Sequence, residues 1–286
     1  MTTMAMTKLL VVYGNSTTEE NYEEMNLWYS WVHIRDVLTA KAAFAVQRFE
    51  LSKYQPKNAD TARKVLCCYE IHDPDYCQRW HVKDCASWRM RMSKSFCDYY
   101  ETMWNPVVDT DYWADYADYT GDKSVMTVKM KAKGDVKVED YFTLDKLNEL
   151  KALPGFVALH LYDWTMDDQM PINTPPAEPM THNLVCQISN CYAVVNEWEK
   201  FLAANPEVEE LFEMHPAVYE PQMRRLRGID LFDSVERRGI QALAHLTLDD
   251  LEGRANPPLP IEFMKQYCQG PLEGYCDIER RDFRDI

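Results

Sequence analysis

The chain has 286 residues, close to the size at which one core stops growing and chains divide into two. Its 46% hydrophobic and 12% aromatic residues are ample for a core, and a formal net charge of -15 excludes a default nucleic-acid role, because phosphate binding needs a concentrated basic surface. No apolar run approaches the roughly 20 residues of a membrane helix, and Met1 to Lys8 lacks the pattern of a signal peptide, so the expected location is the cytoplasm, with no membrane partner. The nine cysteines are odd in number and scattered through regular elements, which fits reduced, mostly buried thiols better than a disulfide frame.

In chain order, Lys8 to Tyr13 is a short apolar strand ended by Gly14-Asn15, and Thr17 or Thr18 can cap a helix running to about Leu38. Ala43 to Leu51 reads as a second strand. A polar loop, Ser52 to Ala62, leads to a third, Lys64 to Ile71. His72-Asp73-Pro74-Asp75 starts a second helix that is expected to reach Ser95 or beyond, and the tyrosine-rich stretch Asn105 to Tyr119 is a candidate fourth strand. After Thr120-Gly121-Asp122 the same order returns: strand Ser124 to Lys131, helix Val138 to Leu153, strands Phe156 to Trp164 and Asn183 to Ser189, helix Ala193 to Glu213, and a last strand near Gly228 to Asp233.

Repetition is the strongest organisational signal. Phe44-Ala45-Val46 aligns with Phe156-Val157-Ala158, and Cys68 and Trp80 align with Cys186 and Trp198. The expected fold is α+β: two ferredoxin-like βαββαβ modules, residues 1–121 and 122–238, whose antiparallel sheets pack as an intramolecular barrel around a small-ligand pocket. Residues 239–286 are expected to form an extension packed on the surface.

The segment Met25 to Leu38 carries the main candidate chemistry. Helical spacing puts Tyr29, His33 and Asp36 on one stripe. Asp36 bonded to one ring nitrogen would leave the other free to exchange a proton near neutral pH, and Tyr29 would donate to a developing oxyanion. Spacing alone favours the plainer reading, a histidine paired with its helical neighbour at the rim of the core.

Trp28, Tyr29, His33, Val37 and Leu38, followed by Phe44, Arg48 and Phe49, resemble the EthD-like branch of the dimeric α+β barrel superfamily, in which an aromatic pair, three spacers and a histidine lead into a strand of this type. The motif covers about Leu9 to Phe49. Ala42 and Ala43 depart from it, whereas Pro154-Gly155-Phe156 follows it. The resemblance implies cofactor-independent chemistry in an interior pocket, such as cyclisation, dehydration or decarboxylation, with His33 as acid/base, and this chain would resemble a fused dimer. Some branches bind haem, with His33 or His81 then as the candidate axial ligand. Asp145 stands where the repeat would place His33, so one active pocket per chain is expected.

Cys77, His81 and Cys85 recur at every fourth residue, but ligands so spaced on one straight helix cannot converge on a tetrahedral metal, and no metal site is expected. Trp28, Arg48, His81, Tyr116 and His160 are candidate substrate-binding residues, Tyr116 as part of an aromatic mouth and His160 at the place equivalent to Arg48; ordinary packing is the alternative for each. The functional expectation is a lyase or cyclase of aromatic or polyketide-like metabolism without a cofactor, acting as monomer or homodimer. A non-catalytic carrier of a hydrophobic ligand, or a haem-binding barrel, is the alternative.

Overall fold

The computed structural model describes residues 8–39, 42–75, 77, 92–93, 95–111, 123–164, 180–223, 225–227 and 268–269. In the first half the strands are β1 (Lys8–Ser16), β2 (Ala45–Leu51), β3 (Val65–Ile71), the short β4 (Met92–Ser93) and β5 (Phe96–Asp109). In the second half they are β6 (Ser124–Ala132), β7 (Phe156–Asp163), β8 (His182–Ile188) and β9 (Phe212–Pro221), followed by the two-residue β10 (Leu226–Arg227) and β11 (Cys268–Gln269).

The main sheet runs β10-β2-β3-β1-β5-β7-β8-β6-β9, and β9 pairs back onto β2 at Phe49↔Pro221 and Leu51↔Tyr219. Eight antiparallel strands therefore close into a barrel, with β10 as an outer attachment. Each half has the same internal order, second strand, third, first, fourth, and the fourth strand of each half pairs with the second strand of the other. This is the expected α+β barrel of two ferredoxin-like units.

Closure explains a feature of the strand sequences. β1 is buried on both faces, so it reads Leu9-Leu10-Val11-Val12-Tyr13 with no polar alternation. Leu10 and Val12 enter the core beneath the first-half helices, and Leu9, Val11 and Tyr13 enter the barrel. The interior is occupied by side chains: Tyr13, Phe49, Leu66, Trp104, Val125, Tyr162, Val185 and Tyr219 form one cluster. A barrel of eight strands is wide enough for side chains to fill it or for them to share it with one small ligand.

Helices cover the outside. Against the first half lie α1 (Tyr22–Trp28), a π-helical turn (Tyr29–His33) and α2 (Ile34–Thr39), in which the Ile34 N–H donates to the Tyr29 carbonyl, five residues back. In the second half α3 (Val138–Tyr141) precedes α4 (Leu144–Lys151), capped by Thr143, which accepts from the Lys146 N–H. Asn190 caps α5 (Cys191–Ala204) by accepting from the Ala193 N–H, and Val194, Trp198 and Phe201 form its buried stripe. The short α6 (Glu207–Leu211) follows. Gly155, at φ +93°, lets the start of β7 approach α5; a Cβ there would lie 2.8 Å from Val194 Cγ2.

Two strands differ from expectation. The fourth strand of the first half begins at Phe96, not Asn105, because its earlier residues pair with β1 through Tyr13↔Tyr100 and Leu9↔Trp104. The fourth strand of the second half is Phe212–Pro221, so the helix expected to reach Glu213 stops short of it, in α6, and pairing with β6 from Phe212 to Tyr219 holds that strand in place. The helix expected from Pro74 to Ser95 or beyond lies mostly outside the described residues but does not reach Ser95, because Met92–Ser93 form β4 and Phe96 opens β5. The strand expected at Gly228 to Asp233 and nearly all of residues 239–286 lie outside the described residues. The Cys68 to Cys186 alignment also fails in face: Cys186 packs under the helices, as Cys67 does, while Cys68 points into the barrel.

The loop from Ser52 to Lys64 stitches the halves. Ser52 N–H donates to the Val218 carbonyl, Gln55 both donates to and accepts from the Val218 backbone, and Asp60 N–H donates to the Pro216 carbonyl. No helix of the described residues is long and apolar enough to cross a membrane.

Candidate active site beneath the first helix

Four of the residues singled out from sequence come together, but outside the barrel, between β2, β3 and the α1 helix. Alternation decides this: Val46 belongs to the core under the helices, Phe49 to the barrel, and Arg48 therefore shares the helix-facing side with Val46. The expected barrel pocket is thus corrected for Trp28, Tyr29, His33 and Arg48, because α1 packs on the convex surface.

Arg48 is 0% exposed. Its Nη1 donates to the Asn26 carbonyl at 3.2 Å and to Ser30 Oγ at 2.8 Å, and its Nη2 donates to Asn26 Oδ1. Its guanidinium carbon lies 5.1 Å from the centre of the Tyr29 ring. Among the described residues no carboxylate pairs with it, and Nε has no hydrogen-bond partner. Burial pulls its pKa below the ordinary value.

Tyr29 is flanked by groups that can exchange protons. The Tyr69 hydroxyl donates to the Tyr29 hydroxyl at 3.2 Å, and Tyr29 in turn lies within hydrogen-bonding reach of the Cys67 thiol. Burial above all raises both phenols well beyond the usual tyrosine range, so both are neutral at physiological pH. The neighbouring Cys67 thiol is pushed up to about 12 by burial and stays protonated.

The His33 ring lies 5.2 Å from that of Tyr29 and 5.0 Å from that of Trp28, and it is 9% exposed. Phe96 closes the cluster against Trp28 and Tyr29. The π turn sits between Tyr29 and His33 and brings residues four apart into ring contact, since its wider turn stacks i and i+4 nearly in line.

The other candidates are elsewhere. Asp36 falls in α2, but its side chain lies outside the description; His81 and Tyr116 are outside the described residues altogether. His160 faces the barrel interior, 1% exposed, with Nδ1 2.9 Å from Asp109 Oδ1. A bulge between Phe156 and Ala158 shifts the pairing of β7 with β8 by one residue. His160 is therefore inward where Arg48 is outward, and the two do not share a site. Sequence reasoning missed Tyr69, Cys67, Asn26 and Ser30. The alternation of β3 could have flagged Cys67 and Tyr69; nothing in the sequence alone indicated that Asn26 and Ser30 would hold a guanidinium.

No family model and no curated protein matches the chain. Among solved structures, an anthrone oxidase-like protein superposes with a TM-score of 0.50 at 11% identity, covering 78% of this chain and 94% of that one. That overlap fixes the fold. The chain has the α+β barrel architecture of that protein. The chlorite dismutase of Candidatus Nitrospira defluvii, in complex with imidazole, matches at a TM-score of 0.45 and 8% identity, over 82% of this chain and 95% of that one.

Proposed function

We propose that this chain is an enzyme of small-molecule metabolism that transfers protons at the cluster beneath α1, acting as a lyase or cyclase on an aromatic or polyketide-like substrate. The observation that carries the reading is the fully buried Arg48 guanidinium over Tyr29, with no carboxylate paired to it among the described residues and with His33 against the same ring. A positive charge held without a counterion is costly to fold and is suited to a site where negative charge develops.

In this reading His33 takes a proton from an acidic carbon next to a carbonyl, and the C–H electron pair moves to the carbonyl oxygen. Tyr29, relayed by Tyr69, donates to that oxygen, and the field of Arg48 favours the enolate. His33 then returns its proton to a leaving hydroxyl, which departs as water as the electron pair moves back into the ring. The substrate class rests on the resemblance of α1 and β2 to EthD-like proteins. Asp36, His81 and Tyr116 remain candidates for orienting His33 and lining the substrate.

Haem fits the described residues poorly. An axial histidine must face a gap of porphyrin size, whereas His33 is held between Trp28 and Tyr29.

The test is exchange of the acidic methylene protons of a cyclic 1,3-diketone fused to a phenol, followed by NMR in deuterated buffer. Catalysed exchange is expected with the native chain and a loss of about 100-fold or more with His33→Ala. Undiminished exchange in a folded His33→Ala protein would remove this histidine from the chemistry.

A further inference from the structure

The barrel interior contains a second set of polar side chains that the proton-transfer reading does not use. Asn183 of β8 lies opposite Tyr162 of β7 and opposite Lys129 of β6, and Tyr162 belongs to the interior cluster, so Asn183 points inward. It is 0% exposed, and neither Oδ1 nor Nδ2 has a hydrogen-bond partner among the described residues. Trp104, in the same interior cluster, likewise has an indole Nε1 with no hydrogen-bond partner.

Burying both ends of an amide unsatisfied is costly, and a leucine of similar size would avoid the cost. The interior is otherwise walled by aromatic rings: Tyr13 stacks on Tyr100 at 4.9 Å, and Tyr219 lies 6.5 Å from Tyr13. Lys129 lies over the Tyr13 ring at 4.8 Å and is paired with Asp60, whose side chain is 25% exposed.

A group that matches an isolated carboxamide must present an acceptor and a donor side by side. We propose that the barrel interior at Asn183 binds a small planar lactam or primary amide, whose carbonyl accepts from Nδ2 and whose N–H donates to Oδ1, with aromatic side chains against its faces. This site is separate from the cluster beneath α1 and does not depend on the chemistry assigned there.

The experiment uses the full chain labelled with nitrogen-15, with the Asn183 side-chain resonance assigned by its absence in Asn183→Leu. Titration with 2-pyridone is expected to shift that resonance saturably, with an apparent Kd of about 1 mM or tighter for a ligand of this size. N-methyl-2-pyridone, which lacks the donor, is expected to bind about tenfold more weakly, and Asn183→Leu to lose 2-pyridone binding by a similar factor. The proposal is overturned by the absence of a saturable shift, by equal binding of the N-methyl compound, or by contacts of the Asn183 amide to long-lived water alone. Should Asn183→Leu not fold, assignment through residue-selective labelling and the comparison of the two pyridones on the native chain decide the matter.

Discussion

The guanidinium of Arg48 and the ring of Tyr29 are in contact, 5.1 Å from carbon to centroid, in a place where no carboxylate among the described residues offsets the charge. The pair joins β2 to the first helix. It also gives the first prediction, because a buried charge without a counterion contributes little to stability.

Arg48→Met removes the desolvation cost and leaves no opposing charge stranded, so the loss is confined to the bonds with Asn26 and Ser30. Unfolding in urea is expected to give a stability within about 1 kcal/mol of the native chain. Proton exchange into substrate should fall at least tenfold in the same variant. A loss above about 3 kcal/mol would show that the arginine is held for the fold.

Gly14 controls the back of the same site. A Cβ at this position would stand 2.4 Å and 2.6 Å from the Phe96 ring, and that ring is packed against Trp28, Tyr29 and Tyr99. Gly14→Ala is expected to cost about 1–3 kcal/mol by overpacking, measured by thermal or urea unfolding. Gly14→Ala with Phe96→Leu should recover much of it, since the smaller side chain vacates the clash.

Asp60 and Lys129 make an ion pair of 2.5 Å that ties the loop after β2 to β6, and Lys129 also donates to the Tyr100 hydroxyl at 2.8 Å. Burial is the largest single influence and would raise the Asp60 carboxyl, but Lys129, the Ala62 N–H and Arg63 together outweigh it and hold the group below the ordinary carboxylate range. A depressed folded pKa means the stabilisation is fully present above the unfolded value of about 3.9 and is lost as pH falls through the folded value. Asp60→Asn should therefore cost about 1–2 kcal/mol at pH 7, and the difference from the native chain should vanish in unfolding curves taken well below pH 3.

Thiol reactivity should follow burial. Cys67, Cys68 and Cys186 are fully enclosed, and burial raises all three, Cys67 to about 12, while Cys97 is only half-buried. At pH 8 iodoacetamide is expected to modify Cys97 well before these three, read by peptide mass spectrometry. Early modification of Cys67 in folded protein would mean that the cluster beneath α1 opens to solvent.

Much of the architecture was legible from the chain. The apolar run Leu9 to Tyr13, the Pro154-Gly155-Phe156 turn ahead of β7 and the return of the same element order after residue 121 specify two α+β units, because period and turn residues are local properties. The neighbourhood of Tyr29 and His33 was legible for the same reason, since helical spacing alone makes them neighbours.

Which side of the sheet each residue faces was decided only by tertiary structure. Arg48 and His160 occupy matching places in sequence, yet one residue of bulge at the start of β7 sends His160 into the barrel while Arg48 lies beneath α1. When a strand is buried on both faces its sequence carries no polar alternation to mark inside from outside. Pairing across distant strands then sets the register, and with it the side on which the chemistry lies.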